Sequence, residues 1–283
     1  MERFSPDLNY HIWYEHWHRY HFVQNIVRNK YICDIACGEG YGSALIASVA
    51  KAVVGVDVDK GTVQLAKKKY QACSNLKFIT NNALQTQFNN DEFDVVVSFE
   101  TLEHLVEHNE LLTEFKRILK PNGLLIISTP DKNAHSDSDV ENHYHEKELT
   151  LKEFDDLMNR YFNYNLSFGQ QFQLLSSISL LDTDSLFEKE TTTYVKKGKE
   201  TSPVKNKVQT QYCIKICSDD PEALKKLDVT HTHYFADDEN RLYQHYVAQV
   251  QRLMKIDNQN NSHEQIIAKQ AAIIAHLQAR LGY

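Results

Sequence analysis

Apolar positions fall along the chain in two rhythms. Residues 31–35 (Tyr-Ile-Cys-Asp-Ile), 52–56, 76–80, 93–98 (Phe-Asp-Val-Val-Val-Ser) and 124–128 form short runs that read as strands, the fourth of the kind buried inside a parallel sheet. Between them, 43–50, 62–70 and 110–119 are spaced for helices, the last stopped by the turn signal Pro121-Asn122-Gly123. Two further strands are expected at 164–168 and 208–217. This β-α-β-α alternation predicts an α/β fold with a parallel, doubly wound sheet that takes ligands at the carboxyl ends of its strands.

The two ends of the chain follow other patterns. Residues 10–27 are rich in aromatics and histidine, and Trp13, Trp17 and Tyr20 recur at helical spacing, so 1–30 is expected to form a helical lid. Thr150-x-x-Glu153 is a capping box that opens a helix carrying Phe154, Leu157 and Met158. Polar, lysine-rich 182–207 reads as an exposed hairpin or loop. The sheet domain is expected to span 31–218. Beyond it, 219–283 reads as a helical extension: Tyr243, Tyr246, Val250 and Leu253 share one face. Ile267, Ile274 and Leu281 then repeat every seven residues, with Leu277, Ile266 and Ile273 alongside. Such a stripe must be covered, either as a coiled coil between chains or by packing back onto the domain.

Composition narrows the classes. A net charge of −7 disfavours a nucleic-acid partner, since phosphate neutralisation calls for a basic face. No apolar run approaches bilayer length, and Met1-Glu2-Arg3-Phe4-Ser5-Pro6 is not a signal peptide, so no membrane span is expected. Five cysteines without a disulfide-scaffold spacing point to the cytoplasm, with peripheral attachment through a partner left open.

The chemistry concentrates after the first strand, in Asp34-Ile-Ala-Cys-Gly38-Glu-Gly40-Tyr-Gly42. Glycines there let the backbone approach a ligand closely. Asp57 ends the second strand, where a carboxylate can accept from both hydroxyls of a ribose. A nicotinamide enzyme shares those two features, yet the loop is Gly-x-Gly-x-Gly and not Gly-x-Gly-x-x-Gly. Asp34 would also repel a pyrophosphate, whereas it could hold the amino group of a methionine moiety. Cys33 and Cys37 read as packing residues and not as a metal pair.

These segments resemble, in order, the motifs of class I S-adenosylmethionine-dependent methyltransferases. Residues 31–42 resemble motif I, 54–58 the second and 78–88 the third; 93–105 and 119–130 match the fourth and fifth strands, and the resemblance runs from about 31 to 161. It implies a Rossmann-like, seven-stranded sheet with S-adenosylmethionine as cofactor and S-adenosylhomocysteine as product. Asp34, Ala36, Gly38, Gly40, Asp57, Val58, Ala83 and Phe99 are then the expected cofactor residues. Asn82 stands where the family usually has an aspartate contacting the adenine, and its amide oxygen could still accept from the adenine amino group. Glu15-His16-x-x-Arg19-Tyr20 resembles an element of a bacterial subset, many of whose members sit in polysaccharide or O-antigen pathways. In that reading Arg19 pairs with the cofactor carboxylate, while Tyr14, His16, Trp17 and Tyr20 wall the acceptor pocket; the alternative is that the aromatic stripe is the buried face of the helix.

Methyl transfer to a hydroxyl needs alignment and a base for one proton. His145 is the first candidate and His104, just after the fourth strand, the second. Residues 141–148 resemble a family segment, Asn-Pro-aromatic-His-x-Arg/Lys-Glu, that closes over the acceptor; it assigns Asn142, Tyr144, His145, Lys147 and Glu148, with His143 replacing the proline. No metal is assigned, because Mg²⁺ prefers carboxylates and water to imidazole. The expected partner is a sugar or glycan acceptor, with the C-terminal helices serving a homo-oligomer or a glycan-assembly partner. A quinone-like or other small acceptor and a non-catalytic, cofactor-binding scaffold are the alternatives.

Overall fold

The computed structural model describes residues 11–134, 146–171, 194–197, 200–203, 210–227 and 229. It also describes 248, 251–253, 255, 256, 270 and 275, all helical. Helix α1 (His11–Val27) leads into β1 (Tyr31–Ile35). There follow α2 (Tyr41–Ala47), β2 (Ala52–Asp57), α3 (Lys60–Lys69), β3 (Leu76–Thr80), β4 (Phe93–Phe99), α4 (His108–Ile118) and β5 (Leu119–Pro130). The chain continues as α5 (Leu151–Tyr161), β6 (Tyr164–Gln170), β7 (Tyr194–Lys197), β8 (Glu200–Pro203), β9 (Tyr212–Ser218) and α6 (Pro221–Lys225).

Seven strands form one sheet in the order β3-β2-β1-β4-β5-β9-β6. Strands β1 to β5 pair in parallel, and β9 runs antiparallel between β5 and β6. The strand order reverses at β1, which lies between β2 and β4, so the ligand crevice of a doubly wound sheet opens at the carboxyl ends of these three strands. Strands β7 and β8 form a separate antiparallel hairpin inside the polar segment.

Each face of the sheet buries its own apolar layer. One joins Val95, Val97, Phe99, Ile126 and Ile216 to α1, α2 and α3 through Val23, Ile46 and Val63. The other joins Val96, Leu125, Ile127 and Cys217 to α4 and α5 through Leu111, Phe115, Phe154 and Met158. Central β1 is buried on both sides, its polar Asp34 included.

Several boundaries differ from expectation. The turn signal at Pro121 does not end a strand-free stretch: Phe93 already pairs with Leu119, and the ladder resumes at Val95 and Leu124 around a shift that leaves Pro121 and Asn122 exposed. The expected partition set 1–30 and 219–283 apart from the sheet. In the structure Val23, Ile26 and Val27 of α1 and Leu224 of α6 join the core of the compact unit that runs from Ile12 to Tyr234. The capping box at Thr150 and Glu153 forms in full. A second unit contains 235–283; of its heptad stripe, Ile267, Ile274 and Leu281 lie outside the described residues. No helix among the described residues is long and apolar enough to cross a membrane.

Candidate active site at the carboxyl ends of β1, β2 and β4

Beyond Ile35 the backbone turns sharply, with Ala36 at φ 62° and Gly38 at φ 53°. The Cys37 amide donates to Val56 O at 2.9 Å, which ties the loop to β2. Asp57 completes the tie: one carboxylate oxygen accepts from the Gly38 amide at 3.0 Å and the other from the Asp59 amide at 2.9 Å. A carboxylate offers about four lone-pair sites, so roughly half its capacity remains.

The three glycines serve different ends. A Cβ on Gly38 would meet nothing within 4 Å, so that position faces open space. On Gly40 it would meet the Phe78 ring at 2.4 Å, and on Gly42 the Tyr20 ring at 2.0 Å. The first fits the expected ligand cleft; the other two are seats for aromatic side chains.

Asp34 has no exposed surface. It accepts from Ser43 Oγ at 2.5 Å and from Tyr20 Oη at 3.2 Å. Burial, reinforced by the Asp57 charge, outweighs these donors and pushes its carboxyl up to about 7. In this arrangement the side chains that donate to Asp34 are Tyr20 and Ser43. Tyr20 itself is buried in the core, edge-on to Phe99 at 5.0 Å and to Tyr41 at 5.5 Å, as the buried-face alternative for this helix expects.

Helix α1 lays a polar stripe over the same face. Arg19 is 1% exposed; its Nη1 donates to Gln170 Oε1 at 2.9 Å, lies 3.7 Å from Glu100 Oε1, and its guanidinium sits 4.9 Å from the centre of the Tyr212 ring. Glu100 in turn accepts from Ser128 Oγ at 2.6 Å. Glu15 accepts from Tyr212 Oη at 3.1 Å, and burial raises its carboxyl to about 7 despite the nearby Arg19 charge. Glu103 is pushed well up by burial and by Glu100. His16 bonds to Tyr41 Oη at 3.1 Å, and burial together with Arg19 holds its pKa well below the usual range, so the ring is neutral.

The other expected residues are placed as follows. Val58 is exposed beside Asp57, and Phe99 ends β4. Asn82 is exposed and its side-chain oxygen accepts from the Leu84 amide at 2.9 Å, while Ala83 is half-buried next to it. Tyr14 and Trp17 are half-buried, and the Trp17 ring lies 5.4 Å from that of Tyr41. His104 is half-buried on the Leu102–His104 turn after β4. Exposed Lys147 donates its amide to Glu103 O at 3.1 Å. Tyr144 and His145 lie outside the described residues.

Sequence reasoning passed over Ser43, Glu100, Glu103, Gln170 and Tyr212. Glu100 and Glu103 carried a usable signal, being carboxylates directly behind the apolar run of β4. Gln170 and Tyr212 carried none, because only the sheet order brings them to α1.

Residues 33–127 match the family model described as "Methyltransferase domain". A Mycolicibacterium smegmatis protein named "Probable S-adenosylmethionine-dependent methyltransferase" is 33% identical over 130 residues, covering 45% of this chain and 49% of the relative. A "Ubiquinone biosynthesis O-methyltransferase" from Pasteurella multocida is 32% identical over 116 residues, covering 37% and 48%. The chain spans about half the length of these curated relatives. A solved structure of a SAM-dependent methyltransferase from Thermotoga maritima superimposes with a TM-score of 0.52 at 15% identity, covering 73% of this chain and 90% of the other. The sheet domain thus has the Rossmann-like methyltransferase fold, and the stretch that matches the methyltransferase domain contains Asp34, the glycine loop, Asp57, Asn82 and Phe99.

Proposed function

We propose that the chain binds S-adenosylmethionine and transfers its methyl group to an oxygen acceptor. The observation that carries this reading is the pairing of Asp57 with Gly38: a carboxylate at the tip of β2, with acceptor capacity to spare, beside a loop position open to a ligand. Such a carboxylate suits the two hydroxyls of a ribose. The cofactor supplies an activated methyl on a sulfonium; the protein supplies alignment and exclusion of water. Asn82, Ala83 and Val58 would flank the nucleoside, and Phe99 would close the floor near β4.

On the acceptor side the favoured substrate is a sugar hydroxyl, as in bacterial surface-glycan assembly. Support comes from the resemblance of Glu15-His16-x-x-Arg19-Tyr20 and from the half-buried aromatic group of Tyr14 and Trp17. The name of the Pasteurella multocida relative supports a second reading, a ring hydroxyl of a quinone precursor. In either case His145 or His104 takes the proton, with Tyr144 and Lys147 at the acceptor. The C-terminal helices would serve assembly.

Calorimetry with S-adenosylhomocysteine and with NAD tests the cofactor. Asp57→Ala should weaken S-adenosylhomocysteine binding by about 1.5–3 kcal/mol, the scale of a charge-assisted hydrogen bond. Unchanged affinity, or a preference for NAD, would end the reading. Turnover with glycan or phenolic acceptors, lost in His145→Ala or His104→Ala, separates the two substrates and also excludes a non-catalytic scaffold.

A further inference from the structure

The buried guanidinium of Arg19 is held by three elements at once, and its hydrogen bonding is incomplete. Its Nη1 is engaged by Gln170 and faces Glu100, yet buried Nε has no hydrogen-bond partner among the described residues. Leaving a buried donor unmet costs about 1–3 kcal/mol, so an arginine kept only for packing would be expected to satisfy it. The natural complement of the Nε edge is a carboxylate, which a guanidinium receives in a side-on, two-bond geometry. The methionine arm of the proposed cofactor ends in one.

The aim of that edge is fixed from the far end of the sheet. Gln170 uses both ends of its amide on α1: Oε1 accepts from Arg19, and Nε2 donates to the Glu15 carbonyl at 2.9 Å. Tyr212 donates to the Glu15 carboxyl and presents its ring to Arg19. These two residues are direct partners in the β6–β9 ladder, so the clamp is a single rung of the sheet. It lies outside 33–127, the part of the chain that matches the methyltransferase domain.

We propose that Gln170 and Tyr212 are positioning residues for the cofactor, acting through Arg19, the residue that the sequence resemblance pairs with the cofactor's carboxylate. This rests on the cofactor reading above. The test is a double-mutant cycle on S-adenosylhomocysteine affinity in the full chain, with kcat and KM for S-adenosylmethionine alongside. Gln170→Ala should weaken binding about tenfold, and Arg19→Met, which keeps length and removes charge, about a hundredfold. The double variant should match Arg19→Met within about twofold, since one residue acts through the other. Tyr212→Phe keeps the ring and should lose only about threefold. At saturating cofactor the Gln170→Ala enzyme should keep kcat within about twofold, the loss falling on KM. Losses that multiply in the double variant overturn the proposal. So does a Gln170→Ala protein that melts earlier but binds as well as the parent. A parent that fails to bind S-adenosylhomocysteine at all overturns the cofactor reading itself, and this inference with it.

Discussion

Lys215 and Arg19 are both 1% exposed, and they lie against opposite faces of the same sheet. Lys215 projects from β9 towards α5, where its ammonium donates to Asp155, to Ser167 Oγ at 2.7 Å and to Asn165 Oδ1 at 3.2 Å, above the Phe154 ring. Its three donors are all used. Arg19 projects from α1 into a group of three glutamates, Glu15, Glu100 and Glu103, with one N–H unmet and two of the three carboxyls pushed up by burial. A buried cation whose bonds close within the fold supports architecture. One with an N–H left unmet inside the fold is, in the proposal above, kept for something that is not protein.

The sharpest way to break this contrast is to damage the closed side. Asp155→Ala leaves the Lys215 ammonium without its counter-charge and should cost about 3 kcal/mol of stability, read by urea unfolding. Lys215→Met replaces the cation with an apolar chain of similar length and should cost about 1 kcal/mol or less, because the Asp155 carboxylate it leaves behind is 53% exposed and stays solvated, whereas the ammonium left by Asp155→Ala is buried. Neither change should move S-adenosylhomocysteine affinity by more than about twofold. A loss of affinity in either would dissolve the distinction between the two faces.

The next effect lies on the open side and depends on pH. The Asp34 carboxyl titrates at about 7 in the fold and near 3.8 otherwise. Between those values the folded protein holds a proton that the unfolded chain has released. Its contribution is therefore fully present in acid and is lost as pH rises through 7. Asp34→Asn removes the titration while Glu15, which shifts in the same direction, stays in both proteins and cancels. Urea curves at pH 5 and pH 8 should show the parent losing on the order of 3 kcal/mol relative to Asp34→Asn. A pH-independent difference would mean that Tyr20 and Ser43 stabilise an ionised carboxylate after all.

The same contrast marks what could be read from residue order. Strands β1 to β5 were legible because each is rich in apolar residues whose burial depends little on which strand lies beside it. The glycine loop and Asp57 were legible because backbone freedom and strand-end position are local properties. The clamp on Arg19 was not. Gln170 sits at the end of a weakly patterned strand with mixed exposure, and nothing near it in the chain announces a partner on α1. Asp34 shows a subtler limit: its place near the end of β1 suggested a ligand contact, and residue order did not reveal that the hydroxyl of Tyr20 bonds to it. Gly42 shows the converse. It was read as part of a loop that lets a ligand approach, and it turns out to let Tyr20 approach instead.

Gly42 is therefore the smallest lever on the open side. Alanine there would place a methyl 2.0–2.4 Å from the Tyr20 ring. The ring cannot retreat freely, since its hydroxyl is bonded to Asp34 and its faces and edges contact Tyr41 and Phe99. Gly42→Ala should thus cost about 1–3 kcal/mol, the usual penalty for overpacking a filled core. Because Arg19 is the preceding residue on the same helix turn, the strain should also weaken S-adenosylhomocysteine binding. Shortening the ring side chain in Gly42→Ala/Tyr20→Leu should then restore part of the stability, although it leaves Asp34 with one donor fewer. Thermal melts and calorimetry on the two variants separate the outcomes. Stability lost with affinity intact would mean that α1 can shift while the Arg19 clamp holds, making the two anchors of the helix independent.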